Sequence, residues 1–163
     1  MNCLPKTKEY NQYIAEKYFD MVYRLALSQS GNPHDAEDIT SEVFLRYIKS
    51  DKHFESEEHI KAWLIRVTVN RTKSLFASSW FKKTVPIDET LPADMPEDES
   101  EVYGAVLKLP QKYRTVIHLF YYEDLKTAEI AETLNIKEST VRSQLLRARA
   151  MLKQFLEGDD SIV

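Results

Sequence analysis

The last third of the chain carries a group of polar and basic residues that could bind DNA. Apolar residues at spacings of four, three, four and three predict one buried helix face, made of Val141, Leu145, Ala148, Leu152 and Phe155. The polar residues left for a partner are Ser139, Thr140, Arg142, Ser143, Arg147 and Arg149. An arginine can donate two hydrogen bonds to guanine, whereas hydroxyl groups and further arginines can hold phosphates. We therefore predict a DNA-reading helix; the alternative is a helical hairpin with a solvated basic face.

The residues before this helix have the pattern of a shorter helix and a tight turn. Thr127 is predicted to cap the shorter helix, and the small Ala131 lets the two helices cross closely. Asn135 tolerates the left-handed backbone that the turn needs, and Ile136 is predicted to pack into the core. The two segments together predict a helix-turn-helix, whose second helix presents its N-terminal residues to base edges in the major groove.

A second candidate nucleic-acid surface lies in the first half of the chain. A helix is predicted from Ser56 to about Ser78, because acidic residues follow Ser56 and suit the first turn of a helix. Its predicted buried residues are Ile60, Trp63, Leu64 and Val67. Its polar side carries Arg66, Asn70 and Lys73, with Arg71 beside them. Such a side can hold a separated DNA strand by charge while an amide hydrogen-bonds to an unstacked base; ordinary solvent exposure is the alternative.

The helix before it carries an acidic side. Asn32 and Pro33 have the residue types of a helix cap and a first helical position. The charged residues that then share one side are Asp35, Asp38, Glu42, Arg46 and Lys49. DNA phosphates repel the three acids, which are predicted to be exposed, so we predict that this side binds a protein with basic residues. A solvated surface with a Glu42–Arg46 pair at i,i+4 spacing is the alternative.

The chain as a whole has the composition of a helical protein. It contains only three glycines among 163 residues, and few segments alternate in the manner of a strand. Residues 85–101 hold seven acids and three prolines without a lysine or arginine, and the segment lies between two basic helical stretches. The rest of the chain therefore has a net charge of +3, although the whole chain has −4. We predict an all-α fold of two small helical domains, residues 1–83 and 101–163, joined by a flexible acidic linker at residues 84–100.

Other classes of function have no support in the residues. No run approaches the roughly 20 apolar residues of a membrane span. No secretory signal is visible, and the lone Cys3 cannot form an internal disulfide, so a cytoplasmic protein is predicted. The four histidines lack metal-ligand spacing, and no phosphate-binding glycine loop or nucleophile motif is present. We therefore predict no metal, no cofactor and no enzymatic activity; Cys3, Trp80 and Phe81 receive no role.

Several runs resemble the extracytoplasmic-function sigma factors of bacterial RNA polymerase, a group of the sigma-70 family. They are residues 35–45, 63–70, 109–114, 120–122 and 139–149, within a resemblance that covers about residues 10–80 and 102–157 in the family's order. The chain departs from the family's usual residues at three positions. Ser74 stands in place of an aspartate, Asn135 in place of a glycine and Gln144 in place of an arginine.

The resemblance implies a role for each surface. The acidic side (Asp35, Asp38, Glu42, Arg46) would dock on core RNA polymerase, and the side with Arg66, Asn70, Arg71 and Lys73 would open and read the −10 promoter element. The helix-turn-helix would read the −35 element, and residues 52–56 would lie near DNA. The resemblance also implies an anti-sigma factor, often membrane-anchored, as a partner.

A second class of function stays open. A stand-alone helix-turn-helix repressor or activator, which binds an operator as a homodimer, would explain the second half of the chain. It would give the acidic and basic helices of the first half no specific task. An asymmetric promoter with two elements and a requirement for polymerase would count against it.

Overall fold

The computed structural model describes residues 3–77 and 97–158, and every regular element among them is helical. The chain divides into two compact units, Met1–Pro86 and Ile87–Val163. Unit 1 contains α1 (Lys8–Ser30), α2 (Pro33–Lys49) and α3 (Glu57–Ala77). Unit 2 contains α4 (Glu97–Leu107), α5 (Gln111–Ile117), a π-helical turn (His118–Tyr122), α6 (Thr127–Leu134) and α7 (Glu138–Glu157). The predicted all-α fold of two small helical domains is confirmed.

The beginning of α4 differs from the sequence-based prediction. The helix begins at Glu97 rather than near Glu101, so residues 97–100 of the predicted linker are helical. The first residues of α4 read Glu-Asp-Glu-Ser, and acidic residue types favour the N-terminal turn of a helix. The rest of the predicted linker, together with Trp80 and Phe81, lies outside the described residues. None of the helices in residues 3–77 and 97–158 combines the length and apolar content of a membrane span.

Three consecutive residues fix the turn between α1 and α2. Gly31 has a left-handed φ of 69°, a conformation that would strain most side chains. Asn32 caps α2 by accepting hydrogen bonds from the backbone N–H groups of His34 (2.8 Å) and Asp35 (3.3 Å). Pro33 occupies the first turn, where its missing N–H leaves no helical bond unmade. The predicted cap is confirmed, and it sets the residue at which the acidic side of α2 begins.

The core of unit 1 lies where α1 packs against α2 and α3. Completely buried apolar residues come from all three helices: Ile14, Val22, Leu25, Ala36, Val43 and Leu64. Beside them Tyr47, Phe54 and Trp63 form an aromatic cluster, with ring centroids 5.8 to 6.2 Å apart. Trp63 is half-buried in this cluster and Val67 is half-buried as well, whereas Ile65 and Val69, which the spacing did not select, are buried. The core-facing side of α3 is therefore rotated about the helix axis from the predicted one.

Glu57, the first residue of α3, ties this helix to α1. Its carboxylate accepts hydrogen bonds from Lys17 (2.6 Å), Tyr18 (3.0 Å) and Tyr13 (3.3 Å). The hydrogen bond from Lys17 is the largest cause that holds the pKa of Glu57 below its ordinary value. Burial raises the pKa of Tyr18 to about 12, so its hydroxyl stays a donor. These bonds fix the start of α3, as does Ser56, whose hydroxyl accepts from the backbone N–H of His59 (3.2 Å).

The core of unit 2 is centred on α5 and α7. Its buried apolar residues include Val116, Ile117, Leu119, Ile130, Val141, Leu145 and Ala148. Leu152 and Phe155 are half-exposed, so the predicted buried stripe of α7 ends at Ala148. Leu152 is half-exposed because it lines an open apolar groove of about 490 Å³ between α4, the π-helical turn and α7. Arg114 is buried and donates to the carbonyl oxygen of Leu107 (3.5 Å), at the C-terminal end of α4 where a cation is favoured.

The turn between α6 and α7 has the backbone that the sequence predicted. Asn135 is left-handed, with a φ of 57°. The N–H of Ile136 donates to the carbonyl oxygen of Ala131 (3.0 Å), and Ala131 is buried where the two helices approach each other. Ile136 is half-buried.

The predicted cap of α6 is wrong. The N-cap is Lys126, whose backbone N–H donates to the side chain of Glu129 (3.1 Å). The hydroxyl of Thr127 donates instead to Glu138 (3.0 Å), because the first turn of α7 lies beside it. The Thr127 side chain therefore links the two helices of the motif rather than ending one of them.

Candidate nucleic-acid and protein interfaces

The outward side of α7 presents most of the residues predicted to contact DNA. Burial of Val141, Leu145 and Ala148 holds the helix in one rotation about its axis. Of the predicted residues, Ser139, Arg142, Ser143 and Arg147 are exposed and Thr140 is half-exposed. Leu146 lies among them and is 68% exposed, although the sequence analysis did not single it out. This side of α7 therefore combines hydroxyl groups, cations and one apolar side chain.

Glu138 orients Arg142 at the beginning of α7. Arg142 Nη2 lies 2.5 Å from Glu138 Oε1, which also accepts the Thr127 hydrogen bond. Both bonds hold the pKa of Glu138 below its ordinary value, and the bond from Arg142 is the larger cause. The i,i+4 spacing of Glu138 and Arg142 is a signal from which the pair could have been predicted. A guanidinium carries five N–H donors, so one ion pair orients Arg142 and leaves donors for a base.

Arg149, also predicted to contact DNA, is exposed but is engaged by aromatic side chains of its own unit. Its Nε donates to the hydroxyl of Tyr121 (2.7 Å), and its guanidinium lies over the rings of Phe120 and Tyr121, 5.5 and 5.6 Å from their centroids. The π-helical turn places these aromatic side chains beside the middle of α7, where they engage the cation. Arg149 therefore contacts its own unit, and its contact with DNA stays a prediction.

A polar groove of about 280 Å³ separates the beginning of α5 from one side of α7. We call it the α5–α7 groove. The residues that line it on α5 are Lys112 and Tyr113. Those on α7 are Ser139, Thr140, Ser143, Gln144 and Arg147. Lys112 and Gln144 were not among the predicted DNA-binding residues, and no local pattern around residue 112 indicates that it lies beside α7.

The polar side of α3 is only partly as predicted. Arg66, Asn70 and Lys73 are exposed along one side of the helix. Arg71 is half-buried, and its Nε donates to Glu42 on α2. The structure therefore brings three of the four predicted residues together and turns the fourth towards the neighbouring helix.

The acidic side of α2 contains residues of three different kinds. Asp38 is exposed, as predicted. Asp35 is half-buried, and its Oδ2 has no hydrogen-bond partner within the described residues. Burial is the largest cause that raises the pKa of Asp35, and the nearby charge of Asp38 is the next. Glu42 forms ion pairs with Arg46 (3.3 Å) and with Arg71. The expectation that all three acids are fully exposed is wrong for Asp35 and Glu42, because α2 packs on both of its neighbours.

Two exposed apolar residues extend this side of α2. Leu45 and Ile48 are 53% and 52% exposed. Leu45 follows Asp38 by seven residues, two helical turns, so the two lie on the same side of the helix. A protein partner could cover an acidic and an apolar contact there at once.

The sequence of the chain matches two family descriptions in the order of its two units. "Sigma-70 region 2" matches residues 14–81, and "Sigma-70, region 4" matches residues 99–152. The ECF RNA polymerase sigma factor SigW of Bacillus subtilis is 33% identical over 162 residues, which cover 88% of this chain and 87% of SigW. The ECF sigma factor SigM of the same species is 33% identical over 154 residues, with 86% and 91% covered.

A solved structure agrees with the fold. The sigma factor RpoE of Bartonella quintana, in its complex with the anti-sigma factor NepR, superposes with a TM-score of 0.73 at 21% identity, over 94% of this chain and 99% of that one. The two family matches, one to each helical unit, identify the chain as a DNA-binding transcription protein. The chain belongs to the extracytoplasmic-function (ECF) RNA polymerase sigma factors of the sigma-70 family. It accordingly binds RNA polymerase and directs it to promoters.

Proposed function

We propose that three surfaces divide the work of promoter-directed initiation. The acidic side of α2 binds core polymerase, the polar side of α3 binds the −10 element, and the outward side of α7 binds the −35 element. The observation that carries this assignment is the opposite charge of the exposed sides of α2 and α3 within one unit. Acids on α2 repel DNA, whereas cations on α3 attract it, so the two sides suit different partners.

The α2 surface suits a basic protein partner. The half-buried carboxylate of Asp35 lacks a hydrogen-bond partner at Oδ2, so a cation from another protein would stabilise its charged form. Asp38 and Leu45 add an exposed charge and an apolar contact on the same side. Glu42 and Arg46 complete the surface. Buried apolar contact surrounded by complementary charge is typical of protein interfaces.

The α3 surface suits a separated DNA strand. Arg66 and Lys73 attract the phosphates, and the amide of Asn70 can both donate to and accept from an unstacked base. Arg71 lies behind this surface, where its hydrogen bond to Glu42 holds it. Residues 52–56, in the loop before α3, would lie near the strand, and Lys52 is exposed there.

The α7 surface suits duplex DNA. Arg142 is the residue placed to read a base, because it lies in the first turns of the helix and its guanidinium is oriented by Glu138. Ser139, Thr140, Ser143 and Arg147 would hold phosphates. The exposed Leu146 suits contact with a thymine methyl group.

Further parts of the proposal concern partners and location. The chain acts without a cofactor and catalyses no reaction itself; catalysis belongs to the polymerase. It works in the cytoplasm, where bacterial polymerase and DNA are. We also propose an anti-sigma factor as its regulator, in keeping with the NepR complex of the Bartonella quintana protein. A stand-alone homodimeric repressor is not favoured, because relatives named as sigma factors match both units.

The test is transcription with purified core polymerase and a promoter library. Addition of the chain should yield transcripts from promoters that share two elements at a fixed spacing. The chain alone should bind the same duplexes weakly at physiological salt, because each basic surface is small and phosphate attraction is screened. Tight binding of the isolated chain to a palindrome, without any effect on polymerase, would contradict the proposal and favour the repressor.

A further inference from the structure

The α5–α7 groove is lined by hydrogen-bond donors. The ammonium of Lys112 and the guanidinium of Arg147 are its cations, and hydroxyl groups and the amide of Gln144 complete it. No carboxylate is among the lining residues. Phosphate oxygens accept hydrogen bonds from such groups, most strongly where the donor is charged. The groove therefore suits an anion with several acceptor oxygens.

The donors that α7 contributes to the groove have no partner in the part of unit 2 that the structure describes. Within residues 97–158, no hydrogen bond or ion pair engages the side chain of Arg147 or the serine and threonine hydroxyls that line the groove. Arg142 and Arg149, by contrast, are both bound to side chains of their own unit. Of the three arginines on α7 assigned to DNA, Arg147 is thus the one without a partner within residues 97–158.

Lys112 supplies the second cation from a different helix. Its Nζ lies 5.1 Å from the ring centroid of Tyr113, and this ring is buried and cannot move away. Between Thr140 and Arg147, α7 itself offers the groove only neutral groups, the hydroxyl of Ser143 and the amide of Gln144. Lys112 is therefore held where α7 lacks a charge.

The groove also lies on the correct side of α7 to meet a DNA strand. A helix with side chains is about 10–12 Å across and fills a major groove of about 12 Å, so residues on its sides approach the two phosphate backbones. Arg147 lies about 140° around the helix from Arg142 at 3.6 residues per turn, so the two lie at opposite edges of the outward side of α7. Resting on the proposed −35 function, we propose that the α5–α7 groove binds one backbone phosphate of the duplex, and that Lys112 is a DNA-binding residue.

The first test compares Lys112→Ala with Lys108→Ala in reconstituted holoenzyme. Lys108 is an exposed lysine of the same unit that does not line the groove, so it is a matched control. Lys112→Ala should weaken promoter binding several-fold, by the same factor on a consensus and on a substituted −35 element. It should also reduce the slope of log affinity against log salt by about 1, and Lys112→Arg should restore that slope. Equal behaviour of Lys112→Ala and Lys108→Ala would overturn the proposal.

A second test locates the phosphate. Each backbone phosphate flanking the −35 element is replaced in turn by an uncharged methylphosphonate, and both the unchanged holoenzyme and Lys112→Ala are titrated. At one position the replacement should weaken the unchanged holoenzyme and have no further effect on Lys112→Ala. Additive losses of affinity at every position would overturn the proposal that the groove binds one backbone phosphate. Failure of the unchanged holoenzyme to bind any two-element promoter would instead contradict the proposed function.

Discussion

Arg71 on α3 donates a hydrogen bond to Glu42 on α2, twenty-nine residues earlier in the chain. Glu42 belongs to the side of α2 proposed to bind polymerase, and Arg71 borders the side of α3 proposed to bind the −10 strand. The pair is therefore the point at which the two surfaces of unit 1 meet. Loss of the Glu42 carboxylate releases Arg71. A reversal of charge at Glu42 therefore changes both surfaces at once. Asp38, which makes no ion pair in residues 3–77, is the cleaner position for a test of polymerase binding.

The Glu42–Arg71 bond should be measurable as a coupling in stability. Glu42→Gln and Arg71→Gln should each lower the free energy of unfolding, and the double variant should lose less than the sum of the two. We expect a coupling of about 0.5–1 kcal/mol, since both side chains are about a third exposed. Urea denaturation of the four proteins gives the value. Asp38→Asn should show no coupling with Arg71→Gln, and strictly additive losses for Glu42 would mean that the bond does not form in solution.

The stability of unit 1 should depend on pH through Glu57. Its pKa is lower in the folded chain than the ordinary value of 4.5, so the unfolded chain binds the proton more readily. The contribution of Glu57 to the free energy of unfolding is thus present above pH 4.5 and is lost as the pH falls through the pKa of Glu57 in the folded chain. Unfolding of the original protein and of Glu57→Gln should differ most at neutral pH and converge in acid. Glu58→Gln, at the exposed neighbouring position, should not change the profile; a constant difference for Glu57→Gln would contradict the assignment.

The parts of the fold that depend on neighbouring residues were predictable from the sequence. The spacing of apolar residues gave the helices of both units, and Asn32 and Asn135 marked a cap and a turn because their side chains act on adjacent backbone. Thr127 was assigned wrongly for the opposite reason. A local pattern makes it a cap, but its hydroxyl is engaged by Glu138, which the turn brings beside it.

The candidate site depends more on distant residues, and there the sequence was less informative. Arg149 meets Tyr121 across twenty-eight residues, and Arg71 meets Glu42 across twenty-nine. Each pair needs a particular rotation of two packed helices or turns, and residue types alone do not specify it. The position of Lys112 beside α7 has the same origin. Charge and residue type therefore predict the surfaces, while packing decides which arginines are engaged within their own unit.

The left-handed Asn135 offers a test of the helix-turn-helix turn. Asn135→Ala should lower the free energy of unfolding of unit 2 by about 1 kcal/mol, because a Cβ without a compensating polar group strains this backbone. Asn135→Gly should be as stable as the original or slightly more so. Chemical denaturation of the three proteins measures the difference. Equal destabilisation by Ala and Gly would show that the Asn135 side chain, rather than its backbone conformation, matters.

The last prediction separates Arg142 from Arg149, which lie seven residues apart on α7. Arg142→Ala should weaken recognition of the −35 element by about 1–3 kcal/mol if the guanidinium makes a paired contact with one base. Binding to core polymerase should persist, because Arg142 lies on the outward side of the helix-turn-helix. Asp38→Lys should do the reverse, with loss of polymerase binding and intact helices. Pull-down of core polymerase, footprints of the −35 element and circular dichroism on both variants give these readouts.

Arg149→Ala is the matched control for the Arg142 experiment. It removes the same charge from the same helix, but Arg149 is bound to Tyr121 and lies over Phe120. Its removal should therefore lower the thermal stability of unit 2, while the preference for one −35 sequence over another stays unchanged. If Arg149→Ala relaxes that preference as much as Arg142→Ala does, Arg149 also reads a base and must leave Tyr121 to do so. The π-helical turn would then not decide which arginine reads DNA. If neither does, base reading belongs to other residues of α7, of which Leu146 is the most exposed apolar one.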